Sequence, residues 1–309
     1  MWSIGAYFYD FPFVGSVWTA AGFLILCIAI VAFLRGGWRA QAALWMLCLA
    51  TVGWWLMLQP RQFRDWKPGL DRVPRAEVNG GVVTIENVRN FKYHTLKNFD
   101  EVWEKRTYDM GELKGVDLFL NYWGMPLIAH PIYSFDFGTG GRICFSMETR
   151  QETTEDYSNV AGFYRQYELI CVAAEERDVI RLRTNHRTKE DVYLYRLDLP
   201  RARRMFLEYV ATINALREKP RWYHAITENC TTAVRNQTAA AERGSWDWRY
   251  LVSGKLDELF YQRGIIVADG LKFSELKRRA RVNDAALSAD ADGDFSAAIR
   301  RDRPGFPSE

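Results

Sequence analysis

Cys230, His130 and Glu148 are the residues whose types and setting could support nucleophilic chemistry. Cys230 lies in Thr227-Glu228-Asn229-Cys230-Thr231-Thr232, where Asn229 is a natural N-cap and Cys230 the first residue of an expected helix, Asn229 to about Ala241. A thiol at that place meets free N–H groups and the positive end of the helix dipole. Both favour the thiolate. The same N–H groups could hold the oxyanion formed when sulfur attacks an acyl carbon. A base is still required, and His130 could supply it, with Glu148 fixing its tautomer. Asn229 and Thr231 beside the sulfur, together with Ser134, Tyr133 and Trp123, form the candidate oxyanion or substrate-binding set. His224, six residues before Cys230, competes as a base but sits in an aromatic Trp-Tyr-His loop; His94 and His186 lie in polar surroundings.

The case for pairing His130 with Glu148 comes from strand parity. His130–Phe137 and Arg142–Arg150 read as strands joined by Gly138-Thr139-Gly140-Gly141, a strong turn signal. The apolar residues Tyr133, Phe135 and Phe137 occupy odd positions, as do Ile143, Phe145 and Met147. Directly opposed residues share a face, so aligning these sets demands an odd loop. A three-residue loop, Gly138–Gly140, puts His130 opposite Glu148; a five-residue loop makes them diagonal neighbours. On the hairpin alone, an ion pair on a solvated sheet face is the simpler reading.

Further strands are expected at Val82–Val88, Val116–Trp123, Tyr167–Ala173 and Val192–Leu199. Pro200 opens an amphipathic helix, Arg201–Arg217, with Phe206, Tyr209, Val210 and Ile213 on one stripe, and another helix covers about Gly254–Arg263. The class is α+β: an antiparallel sheet with packed helices. From Arg278 to Glu309 the chain is rich in Ala, Asp and Arg and reads as a disordered tail. Cys144 and Cys171 read as buried strand residues, and with no CxxC pair neither a metal site nor a disulfide framework is indicated. No cofactor is expected. The net charge of +3 is too small to suggest a nucleic-acid partner.

The first sixty residues differ in kind. Uncharged runs at about 14–34 and 40–58 are each long enough to cross a bilayer core of about 30 Å. They read as a two-helix transmembrane hairpin anchoring a domain at 61–277. Arg35 and Arg39 in the short connection place the hairpin tip in the cytoplasm and the domain outside, although Arg61, Arg64 and Lys67 pull the other way.

Several stretches then carry a resemblance. They are Phe63-Arg64-Asp65-Trp66, Val88-Arg89-Asn90-Phe91, Asn121-Tyr122-Trp123-Gly124, Ala129-His130 with Ser134-Phe135, Phe163-Tyr164-Arg165-Gln166-Tyr167-Glu168-Leu169-Ile170, and Asn229-Cys230-Thr231-Thr232. Over roughly Arg61–Gly264 the chain resembles the Lnb-type periplasmic domain family, named for lipoprotein intramolecular transacylases of Gram-positive bacteria. Its order of histidine on a strand, then cysteine at a helix start, is also similar to the permuted papain-like arrangement of NlpC/P60 and lecithin:retinol acyltransferase relatives. The resemblance implies a thioester route: Cys230 matches the family's nucleophile and His130 its base, while Glu148 rests on register alone. It implies a membrane lipid or lipoprotein substrate at the bilayer, and a bacterial inner membrane location with a periplasmic domain. The alternatives are a cysteine hydrolase of cell-wall peptide or amide bonds and a non-catalytic, membrane-tethered binding domain. Two departures stand out. Pro131 after the histidine suggests an edge strand or bulge, and the anchor precedes the domain, whereas membrane segments follow it in the transacylases.

Overall fold

A computed structural model describes residues 1–10, 16–158, 160–187, 189–198, 200–224, 247–250, 252–290 and 294–307. The chain divides into two compact units. One comprises Met1–Lys67, Thr149–Leu169 and Pro220–Glu228; the other comprises Pro68–Glu148, Ile170–Lys219 and Asn229–Glu309.

The first unit opens with α1 (Trp2–Tyr9), α2 (Ser16–Phe33) and α3 (Gly37–Met57). Among the described residues α3 is the one helix long and apolar enough to cross a membrane, and α2 is shorter. At 1.5 Å per residue its 21 residues span about 31 Å. Trp45, Met46 and Leu49 are exposed along it, so it is not the core helix of a globular unit. Gly36 and Gly37 turn the chain between α2 and α3 with φ of 72° and 75°, a region that side chains with a Cβ avoid.

The second unit is mixed α+β. The strands of the chain are β1 (Arg75–Asn79), β2 (Val82–Arg89), β3 (Lys92–Tyr93), β4 (Phe99–Asp100), β5 (Trp103–Asp109), β6 (Gly115–Trp123), β7 (Ala129–Asp136), β8 (Arg142–Arg150), β9 (Glu168–Ala174) and β10 (Glu190–Leu197), the last two residues of β8 and the first two of β9 being counted in the first unit. The main sheet runs β1-β2-β9-β8-β7-β6-β10, with β5 also paired to β2, and β3 pairs β4 separately. Between β9 and β10 come α4 (Glu176–Arg181) and a π-helical turn, Leu182–His186. The helices α5 (Ala202–Glu218), α6 (Leu256–Gln262), α7 (Phe273–Ala280), α8 (Asn283–Ser288) and α9 (Phe295–Ala298) follow.

Both faces of the central strands are covered, which explains their nearly continuous burial. On the odd face Phe135, Phe137 and Phe145 pack against Phe206 of α5 with ring centroids 5.0–5.8 Å apart. On the even face Phe119, Ile132 and Cys144 join Val179, Ile180, Val282, Ala286, Phe295 and Ile299 in one core. The even face is therefore not solvated as the hairpin alone suggested.

The segment read as a disordered tail supplies that cover. Arg300, buried, reaches Asp117 at 2.7 Å and Glu176 at 2.5 Å; Glu176 also accepts from Ser134 Oγ. Few large apolar residues occur here, but small ones at Ala286 and Ala289 allow close approach, and Arg300 gains two buried carboxylates. That pairing was invisible locally. The helix expected from Asn229 to Ala241 lies outside the described residues.

Candidate functional site

The β7–β8 hairpin turns through Gly138–Gly140, and the Phe137 N–H donates to the Gly141 carbonyl at 2.9 Å. Glycines at 138 and 141 accept φ of 58° and 84°. This is the three-residue loop. The resulting register, Asp136↔Arg142 through Ile132↔Ser146, makes His130 and Glu148 the second pair beyond it.

Pro131 explains where the ladder ends. As at Phe137, the odd residues of β7 direct their N–H groups toward β8, and Pro131 has none to give. The strand is nevertheless interior, with β6 on its other side. Pro131 thus marks neither an edge strand nor a bulge in the β6 pairing, which continues through Leu120 and Asn121. It stops the β7–β8 ladder just before His130.

Beyond that point side chains hold the strands together. His130 Nε2 lies 2.6 Å from Ser146 Oγ and 3.2 Å from Glu148 Oε1, and Ser146 Oγ donates to the same Oε1 at 2.6 Å. A hydroxyl has one proton. Because Ser146 gives it to the carboxylate, it must accept from Nε2–H, which leaves the neutral ring's lone pair on Nδ1.

Arg183 completes the group. Its Nη2 donates to Glu148 Oε1 at 2.7 Å, while Nη1 holds the Val179 carbonyl at 2.8 Å. The side chain is 5% exposed against 26% for Glu148. It comes from the π-helical turn after α4, an irregularity frequent at functional sites. Burial alone would raise the Glu148 carboxyl; the charges of His130 and Arg183, with hydrogen bonds from His130 and Ser146, outweigh it and hold the carboxyl well below its ordinary value of 4.5.

Asn121 lies directly across β6 from His130, is almost completely buried, and donates to Glu190 Oε2 at 2.6 Å. Trp123, two residues along β6, shares that face and is half-buried. The other two expected contacts on these strands need correction. Ser134 is fully buried and bonded to Glu176, and Tyr133 is on the opposite face with Tyr209, ring centroids 6.0 Å apart. The neighbouring apolar layers and the Arg300 cluster claim both. Asn229, Cys230 and Thr231 lie outside the described residues.

Sequence reasoning missed Ser146, Arg183 and Asn121. Ser146 was within reach of it, since it falls on Glu148's face two residues earlier. Nothing local points Arg183 at Glu148. His224 packs edge-on to Phe163 at 6.2 Å in the first unit, the aromatic loop setting expected of it. Burial pushes the Cys144 and Cys171 thiols well up, so neither offers a thiolate near neutral pH. Among the described residues no group of three or more His, Cys, Asp or Glu side chains could hold a metal.

Neither a curated protein nor a solved structure matches this chain. The family described as the Lnb N-terminal periplasmic domain matches residues 99–254, half of the chain, a stretch that carries His130, Ser146, Glu148, Arg183 and Cys230. The chain belongs to the Lnb N-terminal periplasmic domain family.

Proposed function

We propose that this protein is a membrane-anchored, cysteine-dependent acyltransferase that works through a thioester on Cys230. The observation that carries the reading is the His130–Ser146–Glu148–Arg183 relay, which assigns the basic lone pair of the imidazole to Nδ1. In the first step the Cys230 thiol gives its proton to Nδ1, and the thiolate attacks the ester carbonyl of a membrane lipid or lipoprotein. N–H groups at Asn229–Thr231 stabilise the oxyanion. The tetrahedral intermediate collapses, the ester C–O bond breaks, and the departing alkoxide takes the proton back from Nδ1. In the second step an amine or water loses its proton to Nδ1 as it attacks the thioester, and the thiolate is released and reprotonated. Throughout, Nε2–H stays on Ser146 and Glu148, whose negative charge stabilises the transient imidazolium.

The helical anchor and the periplasmic character of the family support action at the periplasmic face of the bacterial inner membrane. Intact-mass analysis of the full chain after incubation with membrane lipid tests this. A fatty-acyl increment that hydroxylamine removes is expected, and it should vanish in Cys230→Ala while persisting in Cys171→Ala. Absence of an adduct together with release of cell-wall peptides would replace acyl transfer with hydrolysis. Absence of both would leave a binding domain.

A further inference from the structure

The first unit carries an apolar lip beside the bilayer anchor. Phe63 is 92% exposed, Val160 is 55% and Phe163 is 45%. Direct contacts of the two residues after Phe163 fix that loop against the helices. Arg165, two residues after Phe163, donates from Nη1 to the carbonyls of Leu56 and Leu58 at 3.0 and 2.7 Å and lies 4.2 Å from the Trp55 ring centroid. A cation there caps the negative end of α3. Tyr164 packs on α1, with ring centroids 5.0 Å from Tyr9 and 6.2 Å from Trp2, and its hydroxyl occupies the space that a Cβ at Gly5 would fill. Gly5 is what lets the loop seat on α1.

The helix α1 is eight residues long, about 12 Å, too short to cross a bilayer. It packs against the first half of α2 and the second half of α3: Tyr7 against Phe23 and Trp54, Trp2 against Trp55, Ser3 Oγ 3.8 Å from Cys48 Sγ, and Asp10 accepting from Trp55 Nε1 at 2.7 Å. Tryptophan and tyrosine in such number are the residues that occupy the headgroup layer. Phe63 follows Leu58 by five residues, so it lies within about 17 Å of the end of α3. Scattered apolar residues on a surface need no explanation, but here the loop that carries Phe163 is tied by Arg165 to the end of the apolar helix α3.

We propose that Phe63, Val160 and Phe163 form a lip inserted into the bilayer, contacting phospholipid at the boundary between headgroups and acyl chains. The proposal rests on the anchor reading of α3, and the occupant is lipid of the same leaflet. Arg165 and the α1 aromatics fix its depth, because moving the loop outward would break the Leu56 and Leu58 caps.

Photo-crosslinking of the full chain in phosphatidylethanolamine–phosphatidylglycerol liposomes tests it, with p-benzoylphenylalanine placed singly at 163, 160 or 49. Leu49, exposed in mid-α3, reports the anchor. Irradiation should add one phospholipid mass at 163 and 160 in a yield within about threefold of that at 49. Adducts at 49 alone, or yields at 163 and 160 lower than that margin, would overturn the lip and leave the anchor standing. Crosslinks from 163 to a protein would overturn it as well. No lipid adduct at 49 would overturn the anchor and the lip together.

Discussion

Replacing Glu148 with Gln removes one charge from the relay while nearly preserving its shape. Glu148 Oε1 lies 3.2 Å from His130 Nε2. At an effective dielectric near 20, that distance corresponds to roughly 5 kcal/mol of attraction for the imidazolium. Glu148 is 26% exposed, and solvent screening brings this to about 2–3 kcal/mol. Arg183, balanced by Glu148 in the native protein, would then face the imidazolium without its counter-charge. In the proposed mechanism, the pair formed by the Cys230 thiolate and the His130 imidazolium would therefore lose stability. At 1.36 kcal/mol per pH unit, the thiol titration should move up by about 1.5–2 units. The rate of Cys230 alkylation by iodoacetamide at pH 7 should fall by more than tenfold. This assay needs no substrate, and peptide mapping separates Cys230 from the other cysteines. Thermal unfolding of the same sample reports whether the variant is folded. A folded Glu148→Gln protein whose alkylation profile against pH matches the native one would refute the relay.

Ser146→Ala removes the hydroxyl between His130 and Glu148, leaving the direct 3.2 Å approach; acylation should fall about tenfold and stability by about 1–3 kcal/mol, read by intact mass and urea titration. Glu148 is held below its ordinary value of 4.5, so its contribution to stability is present above that pH and is lost as pH falls through the folded value. Melting temperature should therefore depend less on acid in Glu148→Gln than in the native chain, and equal slopes below pH 4.5 would contradict the assignment. Arg183→Met removes a charge that lowers Glu148, so the acid limb of acylation should move to higher pH; a purely structural arginine would lower the melting temperature without moving that limb. Arg300→Met takes from the buried Glu176 carboxylate its cation, while Asp117 keeps Arg196 at 2.7 Å, and should cost about 3–5 kcal/mol in urea unfolding. A cost near zero would mean that the C-terminal segment is not integral to the core.

Much of the local architecture was legible in residue order. Apolar parity and a glycine turn limit the hairpin to an odd loop, because a one-residue slip would send Phe135 and Phe145 to the wrong face, and the folded chain selects three residues over five. The strand at Arg142–Arg150 and the α5 stripe at Phe206 and Tyr209 were equally readable, since both depend on periodicity within one element. Periodicity cannot say what covers a face once it is built. Ser134 and Ser146 occupy the same face of adjacent strands, yet one belongs to the Arg300 cluster and the other to His130. That division is made by α4, its π-helical turn and the C-terminal helices, which arrive from far along the chain. Arg183 and Arg300 are the clearest cases: nothing within several residues distinguishes them from solvated arginines. A buried guanidinium is stable only where carboxylates already wait for it, and their meeting is a property of the folded chain.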